Sequence, residues 1–259
     1  MYLATTICKC ERSEKMSTFE YTVLPEYAPL YKQLPYHYKG YQKVSVYCRG
    51  KTEAISKFLP KEFEPVSDVF EVFVLKNHII EGLDPYSEGG LIIPCKYKDK
   101  VGACMSFEYV DTDDALCAGR EIWGYPKKLG EIAFEESGQT IRGTVRRKGK
   151  TIIDIHFNES SVNFKTPVMF PRLQVKRMPH PEKYGTDINW IIQNEFENAI
   201  IHKKVFGEAT LTWEQSLDDP LYELGPIEVI GAVYVKGDFT LSYGKVLEKI
   251  DHMTLSSST

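Results

Sequence analysis

The chain has 259 residues, 42% of them hydrophobic and 12% aromatic, enough apolar surface for one substantial core. Its formal net charge of -4 opposes the basic balance needed to grip a polyphosphate, so no nucleic-acid partner is expected. No window approaches the roughly 18 apolar residues that span a bilayer, and the N-terminal MYLATTICKCERSEK has no sustained apolar run before its charges; the expectation is a cytoplasmic protein without membrane partners.

Residues 1–16 read as a flexible leader. Cys8 and Cys10 form a C-x-C pair there, with no second Cys or His pair at ligand spacing, so no metal is expected. Cys48, Cys95, Cys104 and Cys117 lie in apolar, strand-like surroundings and read as small buried hydrophobes. Alternating or β-branched runs predict strands at Val44–Tyr47, Val69–Leu75, Leu91–Pro94, Val101–Val110, Thr140–Arg146, Thr151–Phe157, Ala209–Trp213 and Ile227–Val235. Turn residues fall at Gly89-Gly90, Lys98–Lys100, Gly138, Lys148-Gly149, Gly225-Pro226 and Gly237-Asp238. Thr52–Leu59, stopped by Pro60, reads as a short helix, while residues 188–204 fit either a helix or a β-hairpin. No repeat or linker divides the chain. A single domain over 17–252 and a disordered tail over 253–259 are expected. The fold class is mainly β (α+β): a curved or closed antiparallel sheet, barrel or cone, with a few short helices.

Several chemistries fail on residue type or spacing. Arg49-Gly50-Lys51-Thr52 lacks the upstream glycine of a phosphate-binding loop, where Ser45 stands instead, and reads as a turn into the short helix. Neither a G-x-G-x-x-G nor a G-x-S-x-G occurs. The six histidines are scattered, and Asp111-Thr112-Asp113-Asp114 lacks the glycine and distal glutamate of a calcium loop, so it reads as a solvated turn.

The informative segment is Gly119-Arg120-Glu121-Ile122-Trp123-Gly124-Tyr125-Pro126-Lys127-Lys128-Leu129-Gly130. Adjacent lysines usually mark a solvated face, but these follow a proline within a run of large apolar side chains. In extended backbone, neighbours point to opposite faces, so one lysine enters the interior and the other leaves it. An interior amine can attack a ketone and leave a protonated imine, which withdraws the electrons released by a departing β-carboxylate. The amine must be neutral, so its pKa has to fall from about 10.4 to roughly 6–7, a cost to the ammonium of about 5 kcal/mol. Desolvation supplies shifts of about 3–5 units, and burial is the expected cause here.

This segment closely resembles the signature of acetoacetate decarboxylases, G-R-E-[LI]-x-x-[YF]-P-K-K-L-G, a family that serves as a standard example of an activated lysine. The resemblance implies that Lys127 forms the imine, with Lys128 as its partner in catalysis. Arg120 and Glu121 match the family's R-E pair, and Tyr125 matches an aromatic of the pocket. Tyr86-Ser87-Glu88-Gly89-Gly90 with Ile93-Pro94 resembles the family's Y-T-E-S-G…I-P stretch at the same interval from the lysines, which places an acid–base role on Glu88. Weaker similarity runs through Arg49–Pro60, Pro171–Pro179 and Gly207–Pro226.

Two family residues do not transfer. An early-strand arginine should fall in Tyr36–Tyr47, where the ungapped match is Tyr41, with Lys39 and Lys43 nearby. A second acidic residue should fall in Val69–Leu75, where the ungapped match is Phe73 and Glu71 stands two residues earlier on the same face. The expected activity is decarboxylation of a β-keto acid: acetoacetate to acetone and CO2, or a longer analogue. The alternative is a Schiff-base aldolase or dehydratase acting on 2-keto acids on the same fold. A non-catalytic binding barrel would have no use for an interior lysine. No cofactor or metal is implied, because the lysine itself is the electron sink. The resemblance also implies assembly into homo-oligomers.

Overall fold

The computed structural model describes residues 22–250, which fall into two compact units divided between Leu30 and Tyr31. Residues 22–30 are turn-rich, with the Ala28 N–H donating to the Pro25 carbonyl at 3.0 Å. From Tyr31 onward come all the strands and helices described. The leader at 1–16, with Cys8 and Cys10, and the tail at 253–259 lie outside the described residues.

The strands are β1 (Tyr36–Arg49), β2 (Glu64–Pro65), β3 (Val69–Asn77), β4 (Ile79–Glu81), β5 (Tyr86–Tyr97), β6 (Lys100–Val110), β7 (Lys127–Leu129), β8 (Glu131–Ser137), β9 (Thr140–Arg147), β10 (Lys150–Glu159), β11 (Arg172–Pro179), β12 (Thr186–Asn194), β13 (Phe196–Thr212), β14 (Glu228–Leu241) and β15 (Lys245–Lys249). The α-helices are α1 (Thr52–Lys57) and α2 (Asp113–Ala118), the latter running into a π-helical turn at Gly119–Trp123. One sheet holds all the strands in the order β15-β12-β11-β6-β5-β3-β1-β14-β13-β10-β9-β8, with β2, β4 and β7 attached to β5, β1 and β6. Its neighbours are antiparallel except for β11 and β7, which run parallel to β6. The two ends of this path do not pair, so the sheet is open. It curls nonetheless: a Cβ on Gly143 of β9 would lie 2.7 Å from Val74 Cβ of β3, although four strands separate the two along the path.

Strand alternation sorts the central strands into two faces. Val44, Val46 and Cys48 of β1 and Phe70, Val72 and Val74 of β3 enter the main apolar core. The intervening Lys43, Ser45, Glu71 and Phe73 face a cavity instead. Burial on both faces explains why these strands read as nearly continuous apolar runs.

Four expectations need correction. Residues 188–204 form neither a helix nor a hairpin: β12 pairs with β11 and β15, whereas β13 pairs with β14 and β10. Gly89-Gly90 is not a turn but the interior of β5, where added Cβ atoms would meet Val145 Cγ2 at 2.4 Å and the Phe107 carbonyl oxygen at 2.2 Å. Gly237-Asp238 lies inside β14 for a similar reason, since a Cβ on Gly237 would meet the Ile200 carbonyl oxygen at 2.3 Å. Finally, Asp113 and Asp114 open α2 rather than a solvated turn. Asp114 is buried and accepts the Asp84 N–H at 2.7 Å, while Cys117 sits on that helix, not on a strand.

Candidate active site

The cavity between the curled strands measures about 440 Å³, within the range of small-molecule sites. Its exposed border is formed by Phe170 and, on and beside β13, by Glu195, Ala199, Ile201 and Lys204.

Lys127 reaches the cavity through a local chain of constraints. Gly124, at φ 81°, ends the π-helical turn in the left-handed region, and a Cβ there would lie 2.4 Å from the Lys176 Cα. The chain then extends into β7, which lies parallel to β6 with Lys127 opposite Glu108 and Lys128 opposite Tyr109. Alternation turns Lys127 inward, where it is 6% exposed and its Nζ lies 3.2 Å from Glu88 Oε2 and 3.6 Å from Glu108 Oε1. Gly119 makes room for the lysine stem: a Cβ there would approach Lys127 Cδ at 2.5 Å and Cε at 2.6 Å.

Lys128 points the other way. Its Nζ lies 2.7 Å from Asp219 Oδ1 and donates to the Asp218 carbonyl at 2.8 Å, outside the cavity. Asp219 is fully buried and also meets Arg147 at 3.2 Å and the Tyr109 hydroxyl at 3.1 Å.

Glu88 stands on β5 and is buried. Glu108, which sequence reasoning missed, stands on β6, also buried, with its Oε2 lacking a hydrogen-bond partner. It faces the cavity together with Met105 because of a β-bulge: Leu91 pairs with Phe107 but Ile92 pairs with Met105, leaving Ser106 as the extra residue. Regular alternation from Met105 would have turned Glu108 away. Its carboxyl is pushed well above the usual carboxylate range by burial first and by neighbouring Glu88 next.

Burial pushes the Lys127 ammonium down more than any other single influence. Glu108, Glu88 and Tyr38 together outweigh it, and the net direction is up. The fall expected from burial alone is thus reversed, and a neutral amine requires its proton to move to a neighbouring group.

A second charged cluster lines the same cavity. Glu71 on β3 lies 2.5 Å from Lys43 Nζ and accepts the Ser45 hydroxyl at 2.6 Å. Burial pushes this carboxyl up, but Lys43 and then Arg172 overcome it and hold it below the usual range. Phe73, two residues on, supports the Lys43 ammonium at 4.5 Å from its ring centre. Tyr41 is buried on the cavity wall, edge-on to Phe239, and the Tyr125 hydroxyl donates to Asn194 Oδ1 at 2.8 Å. The early strand therefore does supply a cation, Lys43. Arg172, at the start of β11, supplies another that sequence reasoning missed; its only signal was an arginine placed directly after a proline within an apolar run.

Arg120 and Glu121 do not border the cavity. Both are exposed: Arg120 donates to the Lys127 carbonyl at 3.1 Å from outside, and Glu121 accepts the Tyr31 hydroxyl at 2.5 Å. Among the described residues, no group of three or more His, Cys, Asp or Glu side chains is arranged to hold a metal ion.

The family model for acetoacetate decarboxylase (ADC) matches residues 25–250. Acetoacetate decarboxylase 1 of Mesorhizobium japonicum is 25% identical over 231 residues, covering 86% of this chain and 92% of that relative. The crystal structure of acetoacetate decarboxylase from Legionella pneumophila superposes with a TM-score of 0.79 at 19% identity, over 86% of this chain and 90% of its own. The enduracididine biosynthesis enzyme MppR, complexed with the condensation product of pyruvate and imidazole 4-carboxaldehyde, superposes with a TM-score of 0.74 at 17% identity, over 88% and 96% of the two chains. The structural likenesses establish the shared fold, and the sequence match over nearly the whole described region goes further: the chain belongs to the acetoacetate decarboxylase family.

Proposed function

We propose that the protein decarboxylates a β-keto acid through a Schiff base on Lys127, converting acetoacetate to acetone and CO2 or acting on a longer analogue. The carrying observation is the Lys127 amine in the cavity, 3.2 Å from Glu88, while its neighbour Lys128 is turned to Asp219. Lys127 passes a proton to Glu88, and the neutral amine adds to the ketone carbon. Glu108, whose carboxyl is raised well above the usual range and so is suited to proton donation, stands near enough to protonate the carbinolamine oxygen, so that water leaves and a protonated imine forms. The C–CO2 bonding pair then flows into the imine, CO2 departs, and an enamine remains. Protonation at carbon and addition of water release the ketone and restore the amine.

The test has two readouts: CO2 release from acetoacetate, and borohydride reduction followed by peptide mass analysis. Turnover together with a reduced adduct on Lys127 supports the reading; turnover without that adduct overturns the lysine mechanism. A second reading, aldol addition and dehydration of a 2-keto acid, is motivated by the MppR complex on the same fold and by the cations Lys43 and Arg172, which suit a carboxylate that stays on the product. An adduct with pyruvate and no CO2 from any β-keto acid would favour it.

A further inference from the structure

Arg172 is the one buried cavity cation with no ion pair to a carboxylate among the described residues; its charge acts on Glu71 only from beyond ion-pair distance. Lys43 pairs with Glu71, and Lys127 faces Glu88 and Glu108. Arg172, 3% exposed, donates through Nη1 to the Met169 carbonyl, and its guanidinium lies 4.2 Å from the Phe170 ring centre. A guanidinium has five N–H donors, so this environment leaves most of its capacity unspent. That spare capacity is a planar fork matched to a carboxylate.

That carboxylate should not be the one that departs. Decarboxylation discharges the leaving group, so a guanidinium gripping it stabilises the ground state more than the transition state and slows the step. We infer that Arg172 binds a second carboxylate that is retained on the product, and that the preferred substrates are β-keto acids carrying an additional carboxylate beyond the ketone. This inference rests on the Schiff-base reading of Lys127. The aromatic residues Phe170, Phe196 and Phe239 touch in succession, the first pair tilted at 4.8 Å and the second stacked at 4.1 Å, and provide an apolar wall for the methylenes between ketone and carboxylate.

The test separates recognition from turnover. The probes are 4-oxopentanoate, a ketone with a retained carboxylate, and 5-methyl-2-hexanone, its near-isosteric uncharged counterpart. Each is titrated against the wild-type protein, and borohydride-dependent labelling of Lys127 is measured. The expected result is half-maximal labelling by 4-oxopentanoate at a concentration about 10- to 100-fold lower, the size of a charge-assisted contact. This preference should collapse toward unity in Arg172→Leu and survive in part in Arg172→Lys. Equal labelling of the wild type by both ketones would overturn the inference and leave the imine reading standing, whatever the variants do. No labelling by either would remove the imine reading, and the inference with it. Labelling with the expected preference but no CO2 from 3-oxoadipate would keep Arg172 in its role while the decarboxylase reading fell.

Discussion

Lys127 and Lys128 leave the same three-residue strand in opposite directions, one to Glu88 at 3.2 Å and the other to Asp219 at 2.7 Å. On the Schiff-base reading, the pair divides between chemistry and architecture. Lys127→Ala is expected to abolish both CO2 release and borohydride labelling. Lys128→Met should retain labelling of Lys127 but lower stability by about 2 kcal/mol, because buried Asp219 loses one of its charged donors. Turnover, labelling and denaturant unfolding of the two variants check both halves.

Gly119 is a steric determinant of the amine's position. Its φ of -60° suits any residue, so Gly119→Ala strains no backbone, but the added Cβ would sit 2.5 Å from Lys127 Cδ. The flexible lysine stem yields before the backbone does. The expected outcome is a loss of about 10²-fold in kcat with a melting temperature near that of the wild type, since a displacement of about 1 Å can cost that much. A large drop in melting temperature instead would mean that the backbone moves.

Glu88 and Glu108 raise the Lys127 pKa against burial, so removing the Glu88 charge should lower it. Glu88→Gln is expected to move the midpoint of Lys127 acylation by an amine-reactive ester to lower pH, even as turnover falls. An unmoved midpoint would show that Glu88 does not set the protonation of the amine.

Glu108 bears on stability with a definite sign. Its folded pKa is raised above the unfolded value, so the folded state binds the extra proton and the wild type loses stability as pH rises from the unfolded carboxyl pKa toward the folded one. Glu108→Gln carries no such proton. Its melting temperature, relative to wild type, should therefore climb as pH rises above the ordinary carboxyl range, and a gap that stays constant would contradict the raised Glu108 pKa.

Residues whose geometry follows from local pattern were legible in the sequence. The Lys127/Lys128 division follows from strand alternation alone, and the shared face of Glu71 and Phe73 from the same rule. Glu108 escaped because a single bulge at Ser106 shifts the alternation behind it, and no residue preference marks that site. Arg172 escaped because β11 joins β6 through one parallel pairing, Arg172 with Ala103, between segments far apart in sequence. Residues 188–204 misled for a related reason: two strands consecutive in the chain pair with other partners, so their local pattern carries no trace of the actual neighbours. Gly89-Gly90 resembled a turn because glycine signals tight approach and tight turning alike.

The strands that carry Lys43, Glu71 and Glu88 are β1, β3 and β5, adjacent to one another in the middle of the sheet path and backed by the main apolar core. Amide protons at these three positions should therefore exchange with solvent only through global unfolding, among the slowest in the molecule. Fluctuations that admit a substrate must then come from the border at Glu195–Lys204, where side chains are exposed. On this expectation the charged floor of the site is its rigid part, and motion is left to its rim.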